Sequence, residues 1–279
     1  MVDASKAVMD TMSTLSRMRD LANRRRWAGR LLLPALFTLL AGAPAAVPAQ
    51  DAAALTQQLL ITRAAQVYAA RLNDHVLDAD ASFTARVSAI AATLIARARR
   101  DYPDTAGWAW EVHTTNDPDQ NADCMAGGKI LVSLAYVQRL ELGDAELAML
   151  LAHEIEHAAL HHNLQEYQQA LKLAPRWAER PFLELEHAVD YDNDLIGQLA
   201  PTNYAQEVEA DREGMLLAWR AGWPAAQLAG YFRKMYRGSA QPRLIKPDYP
   251  SPQLRWQAAR ELAATLQKNY VQAPTEPLH

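Results

Sequence analysis

Residues 145–159 read as one helix that is apolar on nearly every face, yet it carries His153, Glu154, Glu156 and His157. Leu147, Leu150, Leu151, Ala152, Ala158 and Ala159 surround these four ionisable side chains. Such groups are costly to bury unless they are paired, hydrogen-bonded or bound to a metal. A chain with this helix must therefore fold around a reason for keeping them inside. The helix is predicted over 144–162, with Asp144 as N-cap and Glu146 in the first turn.

His153 and His157 are four positions apart, so both imidazoles lie on one helix face and reach one metal. Glu154 is adjacent and rotated by ~100°, close enough to hold a water on that metal. A catalytic zinc takes three protein ligands and keeps one position open. The third ligand is expected from Glu207-Val208-Glu209-Ala210-Asp211. Glu207 and Asp211 share a helix face, whereas Glu209 points nearly the other way. Glu207 is thus the expected ligand, and Asp211 the carboxylate that accepts an N–H from His153 or His157. His161 and His162, at the end of the first helix, are read as interacting with its last carbonyls; support of a metal ligand is the alternative for His162.

Three separated segments resemble a zinc metallopeptidase family that includes HtpX, the CAAX prenyl endopeptidases, BepA and LoiP. The first runs from Asn121 through Gly127-Gly128 to Val132 and is similar to the family's glycine-containing strand. The second contains HEIEH, and the third is Glu207-Val208-Glu209-Ala210-Asp211-Arg212-Glu213-Gly214, which matches ExEADxxG. The resemblance spans roughly residues 70 to 265. It implies a thermolysin-like site of two histidines and one glutamate binding one Zn2+, with Glu154 as the general base of peptide hydrolysis. It also implies a strand beside the cleft, and the edge made by Ile130, Leu131, Val132 and Ser133 is expected to pair with an extended substrate.

Two departures from the family pattern stand out. Where the family often has His-Pro-x-x-x-x-Arg, this chain has Tyr249-Pro250 followed by Arg255. The Tyr249 hydroxyl either stabilises the oxyanion of a tetrahedral intermediate or merely caps its loop. Asp123-Cys124-Met125 is less apolar than its family counterpart, and Cys124 is not expected to bind the metal because three ligands are already supplied.

Among the 279 residues, half are hydrophobic and the net charge is −4, which gives no nucleic-acid footprint. Residues 1–49 hold seven Lys or Arg against three acids. Arg24, Arg25, Arg26 and Arg30 precede an apolar stretch at 31–42, and small residues Val47 and Ala49 follow. This reads as a secretory signal cleaved near Ala49, with a periplasmic or secreted product; an uncleaved membrane anchor is the alternative. With one cysteine, no disulfide forms within the chain.

Beyond the signal, 50–270 is expected to form one peptidase domain and 271–279 a disordered tail. Helices are predicted across 51–100, 205–221, 224–236 and 253–268, and strands at 108–115 and 129–133. Pro175, Pro181 and Pro201 are expected breaks in a weakly patterned stretch at 163–204. The fold class is α+β, mainly α. Expected partners are protein or peptide substrates, including misfolded or envelope proteins, with peripheral membrane association. A zinc-containing envelope chaperone or adaptor is the rival reading. A membrane-embedded prenyl peptidase would need several spanning helices, and no run of about 18 apolar residues follows residue 50.

Overall fold

The computed structural model describes residues 55–74, 77–241, 243–244 and 246–272. The expected leader at 1–49 and the tail beyond Gln272 lie outside them. The periodic run at 51–100 forms two helices, α1 (Gln57–Asp74) and α2 (Ala81–Asp101). The second begins where the Asp80 carboxylate accepts a hydrogen bond from Phe83 N at 2.8 Å. It buries Val87, Ala91, Leu94 and Ala98 along one stripe.

Three short strands follow: β1 (Glu111–Thr115), β2 (Ala122–Met125) and β3 (Lys129–Ser133). The segment read as one glycine-containing strand is a hairpin, divided by Gly127 and Gly128, both at φ 80°. Left-handed backbone of this kind favours glycine. A Cβ on Gly128 would also sit 2.5 Å from the Trp110 ring.

The sheet order is β1-β3-β2, with β3 parallel to β1 and antiparallel to β2. This overturns the expectation that Ile130 to Ser133 form a substrate-binding edge. β3 is the central strand, its backbone is hydrogen-bonded on both sides, and the edges belong to β1 and β2. Ile130 and Val132 face the main core, while Leu131 packs with Val67 and Tyr68 of α1. The Tyr68 hydroxyl donates to the Ile130 carbonyl at 2.5 Å.

After α3 (Leu134–Arg139), the helix predicted at 144–162 is α4 (Asp144–Ala159). Gly143 is its N-cap, not Asp144. Glu146 accepts from Gly143 N at 2.7 Å, and Asp144 is left to pair with Arg86 at 2.6 Å. The helix stops early because His161 adopts φ 58°, which reorients the chain before α5 (His162–Leu173). Next come α6 (Phe182–Tyr191), α7 (Asn193–Arg220), α8 (Ala225–Gly238) and α9 (Pro252–Gln272).

Pro175 opens a 3-10 turn and Pro181 caps α6, as breaks should. Pro201, however, lies inside α7. The carbonyl left without its N–H partner belongs to exposed Gly197, where water can take its place.

The architecture is mainly helical with one small sheet. α4 is central, packed on α2, α7, α8 and β2, which explains an apolar surface on all sides. A second cluster joins Leu60 of α1, Ala170 of α5, Phe182 and Leu185 of α6 and Leu195 and Leu199 of α7. Among the described residues, no helix is long and apolar enough to cross a membrane.

Candidate metal centre

The site is made where α7 crosses α4. Glu207, Asp211 and Gly214 are spaced i, i+4, i+7, so one face of α7 carries all three. Gly214 is the point of closest approach: a Cβ there would lie 2.9 Å from His153 N and 3.0 Å from its Cα. With no side chain in the way, the two helices come close enough for Glu207 to meet the histidines.

His153, His157 and Glu207 present ligand atoms all within 4.8 Å of one another. The two Nε2 atoms are 3.2 Å apart. Glu207 Oε2 is 3.6 Å from His153 Nε2, and Oε1 is 3.5 Å from His157 Nε2. A tetrahedral cation with ligand bonds of about 2.0–2.1 Å holds its ligands about 3.3 Å apart. The donor set therefore fits a small divalent cation. Moreover, Glu207 Oε2 is buried with no hydrogen-bond donor, a costly arrangement that a cation resolves.

Access is one-sided. His153 is 4 % exposed and Glu207 6 % exposed, whereas His157 and the adjacent Glu154 are partly open. Burial, reinforced by Glu207 and Asp123, pushes the Glu154 carboxyl well above the ordinary carboxylate range. Burial also raises Glu207, with His153 and Arg255 opposing. Burial and the neighbouring His153 and His162 hold His157 far below the usual imidazole value, which leaves the ring neutral, as a ligand must be.

Behind the ligands, Asp211 Oδ1 lies 3.0 Å from His153 Nδ1, on the side the helix-face argument assigned to it. Although burial opposes its ionisation, Arg255 and His153 hold the Asp211 carboxyl below its ordinary value. Arg255, at the start of α9, donates through Nε to Asp211 Oδ2 at 2.6 Å and through Nη2 to Oδ1. Its Nη1 donates to the Tyr249 hydroxyl and lies 3.7 Å from Glu207 Oε2. The Tyr249 backbone also pairs with Lys246 across its loop, which sets the ring beside Arg255. Sequence reasoning gave Arg255 no part in the site. Its signal was its place as the arginine that closes the Tyr249-Pro250 motif, six residues after Tyr249.

His162 corrects the sequence reading. Instead of meeting helix carbonyls it is 2 % exposed, with Nδ1 2.9 Å from His157 Nδ1 and Nε2 3.3 Å from Glu209 Oε2. Burial lowers its pKa to about 4, with Glu209 opposing. His161 turns away to Asp104, at 2.9 Å. Cys124 is buried in β2, and burial pushes its thiol well up; it is outside the three-ligand group.

A histidine pair on a buried helix, joined by a carboxylate from a crossing helix, is an arrangement that metallopeptidases use. The chain belongs to peptidase family M48, whose model matches residues 81–265. It is similar to mitochondrial metalloendopeptidase OMA1 of Arabidopsis thaliana, 31% identical over 123 residues, covering 42% of this chain and 24% of that protein. The OMA1 metalloendopeptidase of Bos taurus is 28% identical over 160 residues, 53% of this chain and 30% of the relative. That of Schizosaccharomyces pombe is 30% identical over 114 residues, 40% and 33% respectively. The matched part thus spans between a quarter and a third of these relatives' length.

All three relatives are mitochondrial proteins, which overturns the expected periplasmic or secreted location. The physical reason is that an arginine-rich, acid-poor, partly apolar leader is chemistry shared by several targeting systems.

Proposed function

We propose that this chain is a zinc-dependent metalloendopeptidase of thermolysin-like arrangement that cleaves unfolded or misfolded polypeptides. The observation that carries the reading is the convergence of His153, His157 and Glu207 beside a partly open Glu154. In it, His153, His157 and Glu207 hold the metal, and Asp211 orients His153. When bound, zinc lowers the pKa of its water towards ~7 and polarises the scissile carbonyl.

Glu154 takes the proton of the attacking water and delivers it to the leaving amine. Tyr249, fixed by Arg255, steadies charge on the carbonyl oxygen through its hydroxyl.

Glu154→Gln tests the base. The variant is expected to retain zinc by elemental analysis and to cleave a disordered protein about 10²–10⁴-fold more slowly. Unchanged cleavage would remove Glu154 from the chemistry. A wild-type protein that holds zinc and unfolded chains without cutting them would make the chain a binding protein instead.

A further inference from the structure

We propose that His162 and Glu209 are positioning residues for the metal ligand His157, acting through a hydrogen-bond relay His157–His162–Glu209. This rests on the reading that His157 binds the metal through Nε2. An imidazole that ligates through Nε2 carries its proton on Nδ1. In His157 that nitrogen faces His162 Nδ1 at 2.9 Å. His162 Nδ1 must then be the bare, accepting nitrogen, so its proton sits on Nε2. That atom faces Glu209 Oε2 at 3.3 Å, and an ionised carboxylate only accepts. One set of proton positions satisfies every atom in the row.

The relay is built into the fold. His162 is buried, and the left-handed turn at His161 aims it back at α4. Gln206 of α7 donates to the His162 carbonyl at 3.0 Å, so α7 grips this residue by its backbone as well as by its ring. The two histidine ligands consequently have different support. His153 leans on a buried carboxylate held by Arg255, whereas His157 leans on a neutral ring whose carboxylate is exposed. Metal-ligating histidines lose about 10–100-fold in metal affinity when such partners are removed.

The test is zinc affinity by competition with a chromophoric chelator, together with melting of the metal-free proteins. His162→Ala is expected to bind zinc about 10–100-fold more weakly. His162→Gln, whose amide oxygen can accept from His157 Nδ1, should recover part of that loss. Glu209→Gln, at an exposed position that tolerates change, should fold normally and weaken binding several-fold. His187→Ala, at an exposed histidine of α6 outside the relay, should bind as wild type does.

Wild-type affinity in His162→Ala and Glu209→Gln would overturn the proposal. So would a loss in His162→Ala that Gln does not recover and that tracks a lower metal-free melting temperature. A wild-type protein that takes up no zinc would instead overturn the metal site itself.

Discussion

Partly buried charge at the end of α2 is held by ion pairing, as Asp101 shows. Arg97 Nε donates to its Oδ2 at 2.9 Å, and Arg220 of α7 approaches the same oxygen at 3.3 Å. Burial would raise this carboxyl, yet the Arg97 hydrogen bonds and charge, with Arg220, hold it below its ordinary value. A depressed carboxylate pKa adds stability that is present above the unfolded value of about 3.9 and is lost as pH falls through the folded value. Asp101→Asn is therefore expected to cost about 1–2 kcal/mol at pH 7. That gap should close as pH falls towards 3. Denaturant melts of both proteins across this range check it, and a gap constant with pH would mean the charge pairing is not its source. At this same scale the grouping of side chains was legible, because i, i+4 spacing alone puts His153 with His157 and Glu207 with Asp211. Arg255 was not, since it reaches the site across a tertiary contact, and His162 was legible only as an alternative because it follows a left-handed residue.

The crossing of α4 and α7 turns those spacings into a site, and it depends on an absent side chain. At Gly214 a methyl group would lie 2.9–3.1 Å from the backbone of Ala152 and His153. Backbone inside a packed helix has no rotamer to adopt, so α7 would have to move away and take Glu207 with it. Gly214→Ala is expected to cost about 1–3 kcal/mol and to weaken zinc binding in parallel. Gly197 lies on the same helix with nothing within 4 Å of an added Cβ. Gly197→Ala should stabilise by about 0.5–1 kcal/mol through helix propensity. Thermal melts with zinc titrations separate the two, and equal effects would mean that propensity, not the crossing, decides at Gly214. Helix periodicity made α2, α4 and the second half of α7 readable. β3 was readable as a strand at 129–133, but β2 was not, because four residues carry little pattern; pairing partners leave none, so β3 was taken for an edge. Pro201 misled for the opposite reason: a local rule was outweighed by the packing of Leu195, Leu199 and Ala200.

Across the whole molecule, the proposed metal would add a tie between α4 and α7, which already meet at the Asp211–His153 contact. Its ligands come from α4 and α7, and Arg255 extends the tie to α9 through Asp211. The cluster of α1, α5, α6 and the start of α7 has its own fastenings, including Arg63 of α1 on Glu186 of α6 at 2.9 Å. A ligand that binds only the folded state stabilises by about 2.7 kcal/mol at a hundred times its Kd. At ~2–4 °C per kcal/mol for a chain of this size, that is about 5–10 °C in Tm. Chelation should lower the melting temperature by this amount and restoring zinc should raise it again. The loosening should also be uneven: amide hydrogen exchange is expected to quicken around His153, His157 and Glu207 while α1 and α6 keep their protection. A melting temperature indifferent to chelator would mean that these three side chains hold no metal. Uniform quickening would mean that the metal supports the entire fold, and the His–His–Glu centre would then be structural as much as chemical.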